Sequence, residues 1–284
     1  MKIADAQQAA PPRTDRPDDA RNEYADYAQL NTLLTLQRPG TDEPAELSFL
    51  VVTQIMELYF TLLRRDWELA RAAMAADRPR EAVTALRRGH GTQEALTGAW
   101  EALRTLTPPQ FDAFRESFGV ASGIQSYQYR HAEFLLGARH PRALAVHDRT
   151  PAIQAELRAQ YEAPSLYDAA LGLLRRRGLV VPDELVERDF GVQYEGDDRA
   201  VEAWREVYHG ADRDLAGRDL ADLADALFDA AERHLCWKQR HLVAVWRSMG
   251  DKPGSAGTSG AQWLERGVHR KYFPDLWTLR DSGW

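Results

Sequence analysis

The sequence predicts an all-α fold, a helical bundle, and three observations lead to this prediction. Long stretches repeat apolar residues at helical spacing, no stretch is convincing as a β-strand, and no internal repeat or low-complexity tract is present. The apolar pair Val180-Val181 before Pro182 is too short to predict a strand. A chain of 284 residues is long enough to bury a substantial core.

The chain is predicted to begin with a disordered arm over residues 1–21, which are rich in Pro, Asp and Arg and lack hydrophobic periodicity. Residues 22–284 are predicted to form a single all-helical domain. Its first helical pattern includes Tyr24 and Tyr27 and ends at Pro39, because proline followed by glycine stops a helix.

A long helix is predicted over about 45–76. Its apolar face is predicted to consist of Leu47, Leu50, Val51, Ile55, Leu58 and Leu62. Phe49, Thr53 and Glu57 stand four residues apart and therefore share a neighbouring strip of the same helix.

Further helices are predicted along the rest of the chain. A second amphipathic helix is expected over 80–106, with Val83, Leu86, Leu96 and Trp100 facing inward, and shorter helices follow at 126–136, 152–160 and 165–176. Residues 138–197 are interpreted as a helical insertion, with a surface loop from Gly191 to Arg199.

The last long helix is predicted over about 215–249. It carries His234 and His241, which are seven residues apart and therefore lie roughly on one face. A glycine-rich loop and an aromatic tail follow this helix.

Composition limits the classes of function. A net charge of −7 argues against general nucleic-acid binding but allows a small anionic substrate held by one arginine. The single cysteine, Cys236, excludes an internal disulfide framework and a cysteine-only metal cluster. Because we find no signal-peptide pattern and no apolar run of membrane-spanning length, we expect a cytoplasmic enzyme with neither a membrane nor a nucleic acid as partner.

The segment around Arg115 is the strongest candidate site. Arg115 ends a short helical run, and a turn of small residues that includes Ser122 and Gly123 follows. Small residues expose backbone N–H groups to an anion, and an arginine beside them suits bidentate capture of a carboxylate. From the residues alone, a plain helix corner with a solvated arginine is the more ordinary interpretation, since most single arginines are solvated.

This segment resembles the central motif of the tryptophan 2,3-dioxygenase family, which is all-helical and heme-dependent. The residues that carry the resemblance are Phe114-Arg115-Glu116, Ser122-Gly123 and the run Gln125-Ser126-Tyr127-Gln128-Tyr129-Arg130. Four other segments share it in family order: Tyr24 to Tyr27, Phe49 to Phe60, Trp237 to Gly260, and Tyr272 to Trp277. The resemblance therefore covers almost the whole chain.

The resemblance implies a heme b cofactor and O2 as co-substrate. It implies that His241 is the axial iron ligand, that Trp100 lies near the heme edge, and that Ser122 also lies at the cofactor. Neutral imidazole suits iron, and a single axial ligand leaves the opposite face open for oxygen. Among eight histidines, the residues alone give no reason to choose His241.

The resemblance also implies the substrate-binding residues. Arg115 would bind the amino-acid carboxylate, with help from Ser255 and from the turn at Ser122 and Gly123. Phe49 would wall the indole ring. The arm residues Tyr24 and Tyr27 would reach into a neighbouring subunit, which implies a homo-oligomer, a tetramer or dimer of dimers.

Four positions depart from the family pattern and suggest an altered distal pocket. The candidate catalytic residue Thr53 stands where the family has histidine, Ala28 where it has leucine, Phe111 where it has tyrosine, and Phe118 where a smaller aliphatic residue is usual. Threonine can accept a hydrogen bond from an indole N–H, but its side chain is shorter than that of histidine. The departures fit either a substituted substrate or sequence drift.

The sequence thus predicts a heme-dependent oxygenase that oxidises C2 or C3 of the indole ring of L-tryptophan or a substituted, for example β-methyl, tryptophan. The departures favour insertion of a single oxygen atom in a natural-product pathway, which would need an external reductant. The alternatives are a true tryptophan 2,3-dioxygenase giving N-formylkynurenine, a non-catalytic heme sensor, and a purely structural bundle.

Overall fold

The computed structural model describes residues 22–211, 214–250, 252, 254 and 260–281. Every regular element in this part of the chain is a helix, so the predicted all-α class is confirmed. The chain divides into two compact units, Met1–Arg38 and Pro39–Trp284. The predicted disorder of residues 1–21 lies outside the described residues.

The helices follow one another with short connections. In chain order they are α1 (Glu23–Tyr27), α2 (Leu30–Leu33), α3 (Pro44–Ala75), α4 (Pro79–Ala99), α5 (Pro108–Arg115), α6 (Tyr127–Leu135), α7 (Pro141–Ala145), α8 (Pro151–Glu162), α9 (Leu166–Arg176), α10 (Asp183–Val186), α11 (Asp198–Gly210), α12 (Leu215–Met249), α13 (Ala261–Val268) and α14 (Pro274–Asp281). Three short 3₁₀ turns lie between them, at Trp100–Leu103, Glu116–Phe118 and Gly123–Gln125.

The first unit contains α1 and α2. The Asn22 side chain caps α1 by accepting a hydrogen bond from the Ala25 N–H, and Gln29, whose φ is 52°, separates the two helices. Tyr24 and Tyr27 are 72% and 93% exposed within the described chain, so two large aromatic rings of this unit face outward.

In the second unit, α3 packs against α4, α6 and α9, but with a different face from the predicted one. Its buried apolar residues include Val52, Phe60 and Trp67, whereas Leu58 and Leu62 of the predicted face are more than half exposed. The prediction was wrong because α3 is apolar on almost every side, and spacing alone cannot choose between two apolar strips.

By length and composition, α3 could also cross a membrane, with a mean hydropathy of 1.4 over its most apolar window. The expectation that the chain has no such run was therefore wrong. Core helices of soluble proteins pass the same test. Only 28% of that window is buried, which leaves an apolar strip on the surface of the described chain.

The second predicted helix, 80–106, is shorter than expected. Helix α4 ends at Ala99, where the Trp100 N–H bonds to the carbonyl of Thr97, and the chain continues as a 3₁₀ turn. Bonds of this i to i−3 type tighten the last turn of a helix. The predicted inward residues Val83, Leu86 and Leu96 are buried as expected.

A buried carboxylate holds the region between α9 and α11. Asp275 at the start of α14 accepts hydrogen bonds from the Tyr167 hydroxyl at 2.7 Å, the Tyr194 hydroxyl at 2.8 Å and the Asp197 N–H at 2.8 Å. Burial raises the pKa of Asp275 despite these three donors. One side chain therefore fastens α9, the loop before α11 and the C-terminal helix to each other.

Helix α12 occupies the predicted range, 215–249. Asp214 caps its start by accepting a hydrogen bond from the Gly217 N–H at 2.7 Å, and Gly250, with φ of 60°, ends it. The helix packs against α4, α5, α11 and α13, and it carries the buried His234 and the half-buried His241.

Candidate active site

His241 lies in a layer of aromatic rings. Its imidazole stacks on the Trp100 indole with ring centres 4.5 Å apart and an interplanar angle of 11°, and Trp237 lies 5.5 Å away. The indole N–H groups of Trp100 and Trp237 are buried, and neither has a hydrogen-bond partner among the described residues. Buried donors without partners fit a site for a polar-edged prosthetic group.

The protonation state of His241 suits a metal ligand. Burial, together with the charge of Lys238, lowers the pKa of His241 to about 4, so the ring is neutral at neutral pH. Within the described chain its contacts are ring contacts, and no hydrogen bond occupies its nitrogens. The residues present thus fit an axial imidazole for heme iron.

His234, the other histidine of α12 on this side, is a poorer candidate. Its ring is 2% exposed and is enclosed by Tyr129, Tyr272 and Trp237, with ring centres 5.4 to 6.0 Å away. Burial lowers its pKa to about 3. His234 Nε2 also has no hydrogen-bond partner in the described chain, but the rings that cover His234 give it the surroundings of a core residue.

A phenylalanine cluster gathers several of the predicted substrate residues. We use this name for Phe49 of α3, Phe111 and Phe114 of α5, and Phe118 of the following turn. Phe49 stacks on Phe118 at 5.1 Å and lies 5.9 Å from Phe111. The guanidinium carbon of Arg115 lies 5.9 Å from the centre of the Phe111 ring.

The phenylalanine cluster lies beyond the histidine along α12. Met249, at the end of α12, packs against the cluster. It follows His241 by eight residues, which corresponds to a rise of about 12 Å along a helix axis. The imidazole and the aromatic pocket beside Arg115 are thus held by one helix.

The strip of Phe49, Thr53 and Glu57 faces the motif segment, as two contacts show. Phe49 stacks on Phe118, and the Glu57 carboxyl, whose pKa is raised by burial, interacts electrostatically with Ser126. Thr53 itself is exposed, and its hydroxyl donates to the Phe49 carbonyl at 2.9 Å. The threonine oxygen can still accept a bond, but its proton is used within α3.

The structure does not unite all the predicted site residues. Ser122 and Gly123 form the turn before α6, where the Ser122 N–H donates to Gln125 Oε1 at 3.0 Å. Tyr24 and Tyr27 lie in α1 and Ala28 follows it, all in the first unit. Ser255 lies outside the described residues.

A buried ionic network beside His241 was missed from the sequence. Glu133 of α6 accepts from the Tyr129 hydroxyl at 2.7 Å and from Arg130 at 2.5 Å, and Lys238 of α12 lies 3.3 Å away. Tyr272 contacts both Glu133 and Lys238. The i, i+3 and i+4 spacing on α6 was a visible signal, but the partner Lys238 could not be found without the fold.

The charges of this network determine its protonation. Burial alone would raise the pKa of Glu133, but the nearby Lys238 and Arg130 outweigh it and lower the pKa well below the ordinary value. Burial would likewise lower the pKa of Lys238, but Tyr129, Tyr272 and Glu133 raise it. The network therefore stays an ion pair and joins α6 to the helix that carries His241.

The sequence model of the tryptophan 2,3-dioxygenase family matches residues 9–149 and 206–282. Tryptophan 2,3-dioxygenase of Bordetella parapertussis is 39% identical over 261 residues, covering 90% of this chain and 89% of its own length. The enzymes of that name from Polaromonas sp. and Caulobacter vibrioides are 39% and 37% identical over 257 residues, covering 90% of this chain and 86% and 97% of their own lengths.

Fold and site together define an all-α oxygenase with one neutral imidazole available to iron and an arginine beside an aromatic pocket. The chain belongs to the tryptophan 2,3-dioxygenase family. The recognition made from the motifs around Arg115 and His241 is thereby confirmed.

Proposed function

We propose that this chain is a heme-dependent tryptophan 2,3-dioxygenase, which cleaves the C2–C3 bond of L-tryptophan and gives N-formylkynurenine. The observation that carries the proposal is the neutral His241 imidazole, stacked on Trp100 and without a hydrogen bond in the described chain, two helical turns from the pocket beside Arg115. Family membership over 90% of the chain supports it.

His241 would hold heme b, and Trp100 would lie beside it. When bound, heme supplies the binding and activation of O2. The half-buried imidazole lies against the Trp100 and Trp237 rings, and this surrounding keeps it neutral because it lowers the pKa of His241.

Arg115 would bind the substrate carboxylate, and the phenylalanine cluster would hold the indole ring. A guanidinium offers a fork of donors that fixes both position and orientation of a carboxylate. Phe111 supplies an apolar surface instead of a hydroxyl donor beside that group. The Ser122-Gly123 turn and Ser255 are proposed to assist at the ammonium side of the substrate.

Insertion of a single oxygen atom is a second candidate, and the state of Thr53 is the observation that bears on it. Thr53 is exposed, and its proton is engaged by the Phe49 carbonyl, so it offers the indole N–H only an acceptor. The comparisons give this candidate no support, since the relatives carry the dioxygenase name. A reductant would be needed only in this second case.

Labelled oxygen distinguishes the two reactions. The heme-loaded protein is incubated with L-tryptophan under ¹⁸O2, and the product is analysed by mass spectrometry. Two labelled oxygen atoms in one product support the dioxygenase. A single labelled atom, formed only with added reductant, would establish the monooxygenase instead, and no substrate-dependent O2 uptake would favour a heme sensor.

We also propose that the protein is a cytoplasmic homo-oligomer in which Tyr24, Tyr27 and Ala28 complete a neighbouring subunit's pocket. The outward-facing rings of Tyr24 and Tyr27 and the exposed apolar strip of α3 support an association between copies. We keep 22–284 as one domain and 138–197 as a helical insertion.

A further inference from the structure

Glu46, in the first turn of α3, is a buried carboxylate with several donors. It is 5% exposed. Its Oε1 accepts from the Gly40 N–H at 2.8 Å, and its Oε2 accepts from the Thr41 N–H at 2.7 Å and the Thr41 hydroxyl at 2.5 Å. These bonds hold the segment that precedes α3 against the start of the helix.

The same carboxylate reaches the turn that follows Arg115. The Ser117 hydroxyl lies 3.3 Å from Glu46 Oε1 and 2.6 Å from the Phe114 carbonyl, the better acceptor of its single proton. Gly40 packs on this serine so closely that a Cβ added at Gly40 would lie 3.2 Å from Ser117 Cβ. Glu46 thus holds segment 40–41, which packs against Ser117 in the turn Glu116–Phe118.

The orientation of Arg115 depends on this turn. Arg115 is the last residue of α5, where the α-helix gives way to the 3₁₀ turn Glu116–Phe118. Phe114, directly before Arg115, is fully buried, and Ser117 bonds to its carbonyl. Anything that moves the Ser117 backbone therefore moves the base of the Arg115 side chain.

We propose that Glu46 is a positioning residue, which fixes the Ser117 turn so that Arg115 points its guanidinium at the carboxylate of an amino-acid substrate. The proposal rests on the proposed role of Arg115. Glu46 does not touch the substrate; it acts by holding the backbone that carries the cation. Its effect should therefore appear for ligands with a carboxylate and be absent for ligands without one.

The test compares the binding of L-tryptophan and tryptamine, which lacks the carboxylate, to the heme-loaded protein, followed by the change in the heme absorption spectrum. Glu46→Gln places an amide NH2 group against the N–H and hydroxyl groups that now donate hydrogen bonds to the carboxylate. We expect a rise of about tenfold in the Kd of tryptophan, the size of one lost bond to a charged group, and a change of less than about twofold for tryptamine.

Four further variants complete the experiment. Arg115→Met should weaken the binding of tryptophan and leave that of tryptamine unchanged. In the double variant that combines Arg115→Met with Glu46→Gln, the second change should cause no further loss of tryptophan affinity. Asp275→Asn also neutralises a buried carboxylate but lies in a different network, so the ratio of the two Kd values should not change. Ser117→Ala removes only the hydroxyl and should give a smaller loss of the same selectivity.

The results separate the two proposals. If Arg115→Met leaves the selectivity for the carboxylate intact, the proposed role of Arg115 fails. If Arg115→Met abolishes this selectivity but Glu46→Gln lowers the affinity for tryptophan and tryptamine equally, or for neither, the role of Glu46 is overturned. Should Glu46→Gln fail to fold or to load heme, Ser117→Ala decides, and an unchanged Kd ratio in that variant overturns the proposal.

Discussion

Phe111 is the residue at which one added oxygen atom is expected to change substrate binding most. It is 6% exposed and lies under Arg115. We expect Phe111→Tyr to add a hydroxyl donor beside the substrate carboxylate and to lower the Kd of L-tryptophan. A hydrogen bond to a charged group is worth about 1.5–3 kcal/mol, or roughly tenfold or more in affinity. Binding titrations of the heme-loaded protein measure it.

Phe114→Tyr is the matched control for this change. Phe114 belongs to the same cluster but is fully buried, so its added hydroxyl would lose solvent and gain no substrate contact. It should lower the unfolding free energy and leave tryptophan affinity no better than in the parent protein. Equal affinity gains in both variants would refute the assignment of Phe111.

His131 predicts how stability depends on pH. Neither ring nitrogen has a hydrogen bond in the described chain, and Glu156 Oε1 lies 3.4 Å from Nε2 without hydrogen-bond geometry. Burial, followed by the charge of Arg64, lowers the pKa of His131 from 6.5 to about 4. The folded state therefore resists protonation that the unfolded state accepts.

The contribution of neutral His131 to the free energy of unfolding is fully present above pH 6.5 and is lost as the pH falls toward 4. Between these values the unfolded chain binds one more proton, at a cost of about 1.4 kcal/mol per pH unit. Between pH 7.5 and 5.0, we expect the free energy of unfolding of the parent protein to fall by about 2 kcal/mol more than that of His131→Gln. Urea unfolding at both pH values measures the difference. Parallel losses in both proteins would show that His131 does not titrate.

At the scale of elements, Asp275 is the junction that fixes α14. Because one buried donor, Tyr167, and two half-buried donors would lose their acceptor, Asp275→Ala should lower the unfolding free energy by about 2–4 kcal/mol, and Asp275→Asn, which keeps one oxygen, by less. Urea unfolding measures both. Asp219→Ala is the control, since its partner Arg80 is exposed and surface pairs contribute about 0–1 kcal/mol. Similar losses at both positions would contradict the assignment.

The exposed strip of α3 predicts an association of the whole molecule. Leu58 and Leu62 are 56% and 53% exposed and one turn apart. If another copy covers them, the double change Leu58→Glu and Leu62→Glu should reduce the oligomer by burying charge at the interface. Analytical ultracentrifugation should show a smaller species. Thr84→Glu, on exposed α4 surface, should sediment like the parent, and an unchanged double variant would place the interface elsewhere.

Helix bounds were largely predictable because their signals are local. Pro44, Asp214 and Gly250 mark their ends by backbone and capping chemistry within a few residues. Which face of α3 is buried was not predictable, because that choice depends on where α4 and α6 lie. The end of α4 was placed too late, since a 3₁₀ turn continues the same apolar spacing.

Part of the candidate site was also predictable from the sequence, and part was not. The family resemblance brought Arg115, Phe49, Phe111 and Phe118 into one prediction, and in the structure these side chains lie together. Glu46 and Ser117 are 71 residues apart, and Glu133 and Lys238 are 105 apart. Contacts between such distant polar residues leave no periodic pattern, so only the folded chain reveals them.

The stack of Trp100 on His241 gives the protein a built-in optical reporter. Indoles fluoresce, and porphyrins absorb in the range where indoles emit. Trp100 and Trp237 are 5.8 Å apart and both touch the imidazole, so a porphyrin bound there would quench their emission strongly. Adding hemin to the apoprotein should then dim the ultraviolet fluorescence in proportion to occupancy, and the stoichiometry can be read directly from the break in the curve.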